Sequence, residues 1–279
     1  MPTLTKGTGT QREPNVQEKP FYVASHSMAE GYRQERLSLW VRQRYAKHDY
    51  PSGNGTLAAR VRDEHDFPDA RAAPQYWLTK GSHQHYAFKV DVGCSTSVNS
   101  LFENIRGTCG RPLNIVVNSA GIGLLAKSII DTSEEDFDNV VRVNLKGSFL
   151  VTQAAARAMI AGKVTDGTIV NMSSMVAKKF PKDQSTYSAT KAGVLALTKV
   201  VSKELASSGI RVNVVLPSFI KTPMSSKFFS PQFLSQAVDR ISLGRAGLPE
   251  EVAEVVKFLC NSGSSFMAGS AVEVCGGLI

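Results

Sequence analysis

From about residue 86 onward, short runs of branched apolar residues alternate with longer stretches whose apolar positions recur every three to four residues. Four runs have the make-up of buried strands: Ala87-Phe-Lys-Val-Asp91-Val92, Leu113-Asn-Ile-Val-Val-Asn118, Gly167-Thr-Ile-Val-Asn171 and Arg211-Val-Asn-Val-Val-Leu216-Pro217. Runs apolar on both sides belong inside parallel sheets covered on both faces. Helical stretches follow the runs. Ser133-Glu-Glu-Asp136 supplies a capping hydroxyl and an acidic first turn for a helix over about residues 134–160. A second long helix is expected over about residues 185–207. Asn144 falls mid-helix in Val143-Asn144-Leu-Lys146-Gly147, where a polar side chain interrupts the ladder. Strand and helix alternate, which implies right-handed crossovers and an α/β fold: a doubly wound parallel sheet of Rossmann type.

The first 75 or so residues read differently, mixing Pro, Gln, Arg and His with scattered aromatics and showing no sustained period. Their one compact apolar cluster, Leu37-Ser-Leu-Trp-Val41, is expected in a helix over about residues 27–47. Residues 1–80 are therefore read as an atypical, loosely ordered extension, and residues 81–279 as the folded domain.

Chemistry enters at the third strand's end. Tyr187 is followed four residues later by Lys191 and preceded thirteen residues earlier by Ser174. A Tyr-x-x-x-Lys pair lies on one helix face, one turn apart. An ammonium beside a phenol favours the phenolate, so the Tyr187 pKa is expected below its usual value of about 10. Ser174, where the strand ends, can donate a hydrogen bond to a substrate oxygen. Acid, cation and hydroxyl together suit proton transfer at a carbonyl/alcohol pair. A second copy, Tyr76–Lys80, has Asp63 rather than a hydroxyl thirteen residues upstream and reads as a structural aromatic.

In order along the chain, Asn118-Ser-Ala-Gly-Ile122, Val143-Asn-Leu-Lys-Gly-Ser-Phe-Leu-Val-Thr-Gln-Ala-Ala-Ala156, Tyr187-Ser-Ala-Thr-Lys-Ala-Gly-Val194 and Val215-Leu-Pro-Ser-Phe-Ile-Lys-Thr-Pro-Met224 resemble the short-chain dehydrogenase/reductase family, over about 70 per cent of the chain. The resemblance implies an oxidoreductase that interconverts a secondary alcohol and a ketone, on a steroid or a 3-hydroxyacyl thioester in lipid metabolism. It implies Tyr187 as the acid/base, Ser174 as the hydroxyl that orients the carbonyl, Lys191 on the nicotinamide ribose, and Asn144 holding a relay water. It assigns Asp91 and Val92 to the adenine, and Asn118, Ala120 and Gly121 to the turn beside the adenosine ribose. Pro217, Ile220 and Thr222 would fix the nicotinamide carboxamide. The cofactor implied is NAD, with NADP left open. The long helices, with Phe149, Leu150, Ala154 and Ala155 and then Val194, Leu195 and Leu197, would pair with a neighbouring subunit in a homo- or hetero-oligomer.

The family's front is missing. Its first strand leads into Thr-Gly-x-x-x-Gly-x-Gly, whose helix N-terminus binds pyrophosphate. By spacing that loop belongs about 45–50 residues before Asp91. This chain reads Trp40-Val-Arg-Gln-Arg-Tyr-Ala-Lys-His48 there, without a glycine. The expectation is a sheet lacking its first strand–helix–strand unit, with an exposed edge and a dissociation constant for NADH weaker than about 1 mM. A catalytically silent, dehydrogenase-like assembly subunit is the alternative function.

Composition adds exclusions. The net charge of +8 is scattered, with no basic run to suggest nucleic-acid binding. Four cysteines without metal-ligand spacing argue against a metal site and fit a reducing, intracellular compartment. No apolar stretch reaches a membrane span's 18–20 residues. The resemblance points to the mitochondrial matrix, although Glu13, Glu18 and three prolines in the first 20 residues are atypical of a presequence, leaving the cytoplasm open.

Overall fold

The computed structural model describes residues 37–43, 57–62, 78–80, 83–123, 126–222, 224–225 and 231–278. Strands β1 (Leu37–Gln43), β2 (Leu57–Arg62), β3 (Leu78–Lys80) and β4 (His83–Val90) come first. Helix α1 (Ser95–Cys109), β5 (Leu113–Asn118), α2 (Glu134–Val140) and α3 (Gly147–Ala161) follow, then β6 (Gly167–Met172) and the short α4 (Val176–Lys179). The remainder is α5 (Ser185–Leu205), β7 (Ile210–Pro217), α6 (Pro231–Val238), α7 (Pro249–Cys260) and β8 (Ala271–Val274). The four sequence-predicted strands and both long helices are present. Ser133 caps α2, its hydroxyl oxygen accepting from the Asp136 amide at 3.1 Å. Asn144 interrupts the helical ladder as expected: Val141–Lys146 is a π-helical turn joining α2 to α3.

The sheet order is β3-β4-β2-β1-β5-β6-β7-β8. From β1 through β8 the pairings are parallel. β2 is antiparallel to both β1 and β4, so β4 runs with the parallel set, and β3 adds an antiparallel edge to β4. Leaving out β3 and β8, this is the 3-2-1-4-5-6 order of nucleotide-binding sheets with its second strand reversed. Two expectations about the front are corrected. Leu37–Val41 is part of a strand, not a helix, because β5 offers it a parallel partner, with Val41 opposite Asn118. The place beside β5 is thereby filled, so that edge is not exposed; β1 and β2 form an antiparallel pair rather than a strand–helix–strand crossover. Most of the extension expected to be loosely ordered, Tyr76 included, lies outside the described residues, while its described strands share the sheet with the rest.

Alternation along the central strands divides the core. Val116, Ile169, Ile210 and Val212 face α1 and α3 through Leu101, Ile105, Val151 and Met159. Ile115, Val117, Val170 and Val215 face α7 through Val252, Val256 and Leu259. A third cluster packs α5 through Val194 onto Val214 and Leu216. The proposed pairing stripes are only partly on the surface. Ala155 and Val194 are fully buried, Leu150 and Ala154 pack against the core, and Phe149 is 45% exposed.

Candidate active site

Parallel sheets bind ligands beyond the carboxyl ends of their strands, and the sequence-selected residues gather there. Asp91 and Val92 follow β4, Asn118 ends β5, Ser174 follows β6 by two residues, and Pro217 ends β7. Helix α5 brings Tyr187 and Lys191 to the same edge, and the π turn brings Asn144.

At the reaction end, the Ser174 side chain stands near enough to the Tyr187 hydroxyl to favour its ionised form. The Ser174 hydroxyl also reaches the Pro217 carbonyl at 3.4 Å, which ties it to the end of β7. Lys191 is 5% exposed, and its Nζ donates to the Met172 carbonyl at 2.9 Å and stands 5.7 Å from the centre of the Tyr187 ring. Here the expected pKa direction is reversed. Burial pushes the Tyr187 phenol up to about 12, with only the Ser174 side chain opposing it. Burial likewise draws the Lys191 ammonium down to about 8. Desolvation wins because the ammonium is directed to a backbone carbonyl rather than to the phenol oxygen.

Asn144 is fully buried; its Oδ1 accepts from the Ile122 amide at 2.8 Å and its Nδ2 donates to the Ile122 carbonyl at 2.9 Å. The π turn widens the helix where this side chain leaves it, so it spans to the β5 turn. A Cβ placed at Gly121 would stand 3.3 Å from Asn144 Oδ1 and 3.4 Å from Lys191 Nζ, which brings the turn, the π turn and α5 to one point. An open depression lined by Lys127, Thr132 and Asp183–Tyr187 adjoins Tyr187.

The other end is more occupied. Both Asp91 oxygens accept from Arg142 Nη1 at 2.8 Å, and Oδ1 also accepts from the Gly93 amide at 2.9 Å. Val92 has no exposed surface and packs against α3, where a Cβ at Gly147 would lie 2.6 Å from its Cγ2. Asn118 Nδ2 makes long contacts to Asn171 Oδ1 and the Ser148 carbonyl, and its Oδ1 is buried with no partner among the described residues. Ala120 is buried beside it. Beyond β7, Ser218 causes no strain: the described non-glycine residues with left-handed φ are Lys163, Phe180 and Asp183. Ile220 bridges to Gly247 and packs toward α7, while Thr222 Oγ1 accepts from the Ser225 amide at 3.0 Å.

A family model described as Enoyl-(Acyl carrier protein) reductase matches residues 66–279. The chain belongs to the short-chain dehydrogenase/reductase family. It is 44% identical over 195 residues to a human protein named (3R)-3-hydroxyacyl-CoA dehydrogenase, covering 70% of this chain and 73% of that one. It is 43% identical over 192 residues to a 3-oxoacyl-(acyl-carrier-protein) reductase of Thermotoga maritima, covering 69% and 76%. A marmoset (Callithrix jacchus) protein named Estradiol 17-beta-dehydrogenase 8 is 45% identical over 137 residues, covering 49% of this chain and 100% of that one. Among solved structures, a short-chain dehydrogenase/reductase from Mycobacterium marinum superposes with a TM-score of 0.65 at 33% identity, over 69% of this chain and 75% of the other.

Dehydrogenases and reductases of this family generally use NAD(P), and the residues fit such a dinucleotide unevenly. Side-chain-free Gly121 opens beside Lys191 and Asn144, and Tyr187 stands next to them, which suits the reacting end. At the opposite end Asp91 is already held by Arg142, and residues 44–56, which follow β1, lie outside the described residues. Arg142 was not recognisable as Asp91's partner from the sequence, because 51 residues separate them.

Proposed function

We propose that this short-chain dehydrogenase/reductase interconverts a secondary alcohol and a ketone with NAD as cofactor and Tyr187 as its acid/base. The observation that carries the reading is the meeting of Tyr187, Ser174, Lys191, Asn144 and Gly121 at one strand edge. In the reducing direction Tyr187 gives its proton to the carbonyl oxygen, and Ser174 holds the same oxygen by a hydrogen bond. A phenol pushed up to about 12 keeps its proton through the neutral range, which favours donation over abstraction. Lys191 and Asn144 fix the turn and helix around the reacting carbon, and the dinucleotide supplies the hydride. A 3-hydroxyacyl or 3-oxoacyl thioester is the preferred substrate, since relatives named for such substrates align over more than two thirds of the chain. A homo- or hetero-oligomer is the proposed working form, resting on exposed Phe149 and Ile160 on α3 and Val200 on α5.

One observation favours the second reading, a silent assembly subunit: the stretch Trp40–His48, which runs through the end of β1, has no glycine with which a backbone could approach pyrophosphate. Incubating the full chain with acetoacetyl-CoA and millimolar NADH separates the two. Consumption of NADH coupled to 3-hydroxybutyryl-CoA formation supports the enzyme. No turnover, with the folded chain present, supports the silent subunit.

A further inference from the structure

Helix α5 carries both Tyr187 and Lys191, so its placement against the end of β6 decides whether they meet Ser174. An apolar face would fix that placement by shape, because close-packed side chains interlock. Of the residues that α5 buries, however, Val194 alone is apolar, and the others are hydroxyl residues and Lys191 itself. Thr190, Thr198 and Ser202 donate their hydroxyl protons to carbonyls of their own helix, which leaves them nothing to donate to the sheet. The tie comes from the other side. Ser173, buried between Met172 and Ser174, donates its hydroxyl to the Lys191 carbonyl at 2.7 Å. Its own amide donates to the Val215 carbonyl at 2.9 Å, so Ser173 is anchored to β7 before its side chain reaches the helix.

We propose that Ser173 is a positioning residue for the reaction: it grips Lys191 by the backbone and holds α5 against β6, while the Lys191 side chain stays free to leave Met172. This rests on the reading of Ser174, Tyr187 and Lys191 as one reacting group. Three consecutive residues then serve the site. The Met172 carbonyl accepts from Lys191 Nζ at 2.9 Å, Ser173 holds the Lys191 carbonyl, and Ser174 stands by the Tyr187 hydroxyl. The Met172 bond is lost whenever the ammonium turns to a ligand, so it cannot locate the helix while the site works. The Ser173 bond ends on a carbonyl that takes no part in the chemistry, and it persists. A helical carbonyl has a second lone pair beside its bond within the helix, so the grip breaks no turn of α5. A Cβ at Gly193 would stand 2.8 Å from Leu145 Cδ1, so the helix abuts the π turn as well. Without the grip, α5 can shift and carry Tyr187 and Lys191 together away from Ser174. A displacement of about 1 Å at a reacting group can lower a rate by about a hundredfold.

The test uses the full chain and reads the site at rest and at work. With the lysine ε carbons isotope-labelled for NMR, Lys191→Met assigns the Lys191 signal, whose pH titration reports whether the ammonium stays buried. Ser173→Ala should move that titration up from about 8 toward 10.5 as water reaches the ammonium, and Ser173→Thr, which keeps the hydroxyl, should titrate like the wild type. In acetoacetyl-CoA reduction, Ser173→Ala should lower kcat about tenfold with both KM values within about twofold, and Ser173→Thr should keep the wild-type rate. Ser173→Cys, whose thiol donates weakly, should fall between them and carries the test if Ser173→Ala does not fold. Thr198→Val removes a buried hydroxyl from the same helix and should lower stability without moving either reading. An unmoved titration or kcat in folded Ser173→Ala, a Ser173→Thr chain that behaves like it, or an equal change in Thr198→Val overturns the proposal. A wild type without turnover removes the enzyme reading instead, and the titration alone then decides whether Ser173 holds Lys191 in place.

Discussion

At the residue scale, burial governs the ionisation of the two central side chains more than their proximity does. The spacing of Tyr187 and Lys191 correctly put them on one helix face, but spacing does not say where an ammonium points. Lys191 points to the Met172 carbonyl, and its pKa falls toward about 8 from 10.5. A depressed cation means that the unfolded chain binds more protons between those two values, so stability rises with pH across that window and the full penalty applies below about 8. Lys191→Met should therefore exceed the wild type in stability at pH 7, with the gap closing by on the order of 3 kcal/mol as pH rises to 10. Tyr187, raised to about 12, titrates later and in both chains, so it drops out of the difference. Urea unfolding at several pH values measures this; a gap independent of pH would show that Lys191 is not desolvated as described.

At the element scale, the interruption of the helical ladder at Asn144 was legible in the sequence, and a π turn stands there. A polar residue in a helix without a capping role had to have somewhere to go, and Asn144 goes to both backbone groups of Ile122. Removing it leaves a buried amide and carbonyl unpaired, so Asn144→Ala should cost about 3 kcal/mol in thermal or urea unfolding. Thr190→Val removes a 3.4 Å contact to the same side chain and the hydroxyl's 2.8 Å bond to the Tyr187 carbonyl, whose helix partners remain, and should cost about 1 kcal/mol. Equal costs would mean that Asn144 is not what ties the π turn to β5. The strands were legible for a local reason, since β-branched runs such as Leu113–Asn118 need no distant partner to be recognised. Leu37–Gln43 was not, because a short apolar run is settled as strand or helix by its neighbours, here β2 and the distant β5, and Leu57–Arg62 carries no sustained alternation that would announce a hairpin. The Asp91–Arg142 pair was illegible for the same reason of distance.

At the scale of the whole molecule, the fold gathers Ser174, Tyr187, Lys191 and Asn144 at the strand edge that also holds the Asp91–Arg142 ion pair. Family membership follows from the match over residues 66–279, and none of the described helices is long and apolar enough to cross a membrane. Phe149, 45% exposed on α3, marks the face through which subunits are proposed to meet. Sedimentation at micromolar concentration should find an oligomer for the wild type and a smaller species for Phe149→Glu, because a buried carboxylate at an apolar interface is strongly disfavoured. A wild type that sediments as a compact monomer removes that proposal without touching the site. The site itself stands or falls on the proton donor. The most direct measurement compares wild type and Tyr187→Phe in the reduction of acetoacetyl-CoA at millimolar NADH, with unfolding curves to confirm that both chains are folded. The wild type should turn over and Tyr187→Phe should be at least about a hundredfold slower, for want of the phenolic proton. A Tyr187→Phe rate within about tenfold of the wild type, or a wild type no faster than the variant, would contradict Tyr187 as the acid of this site.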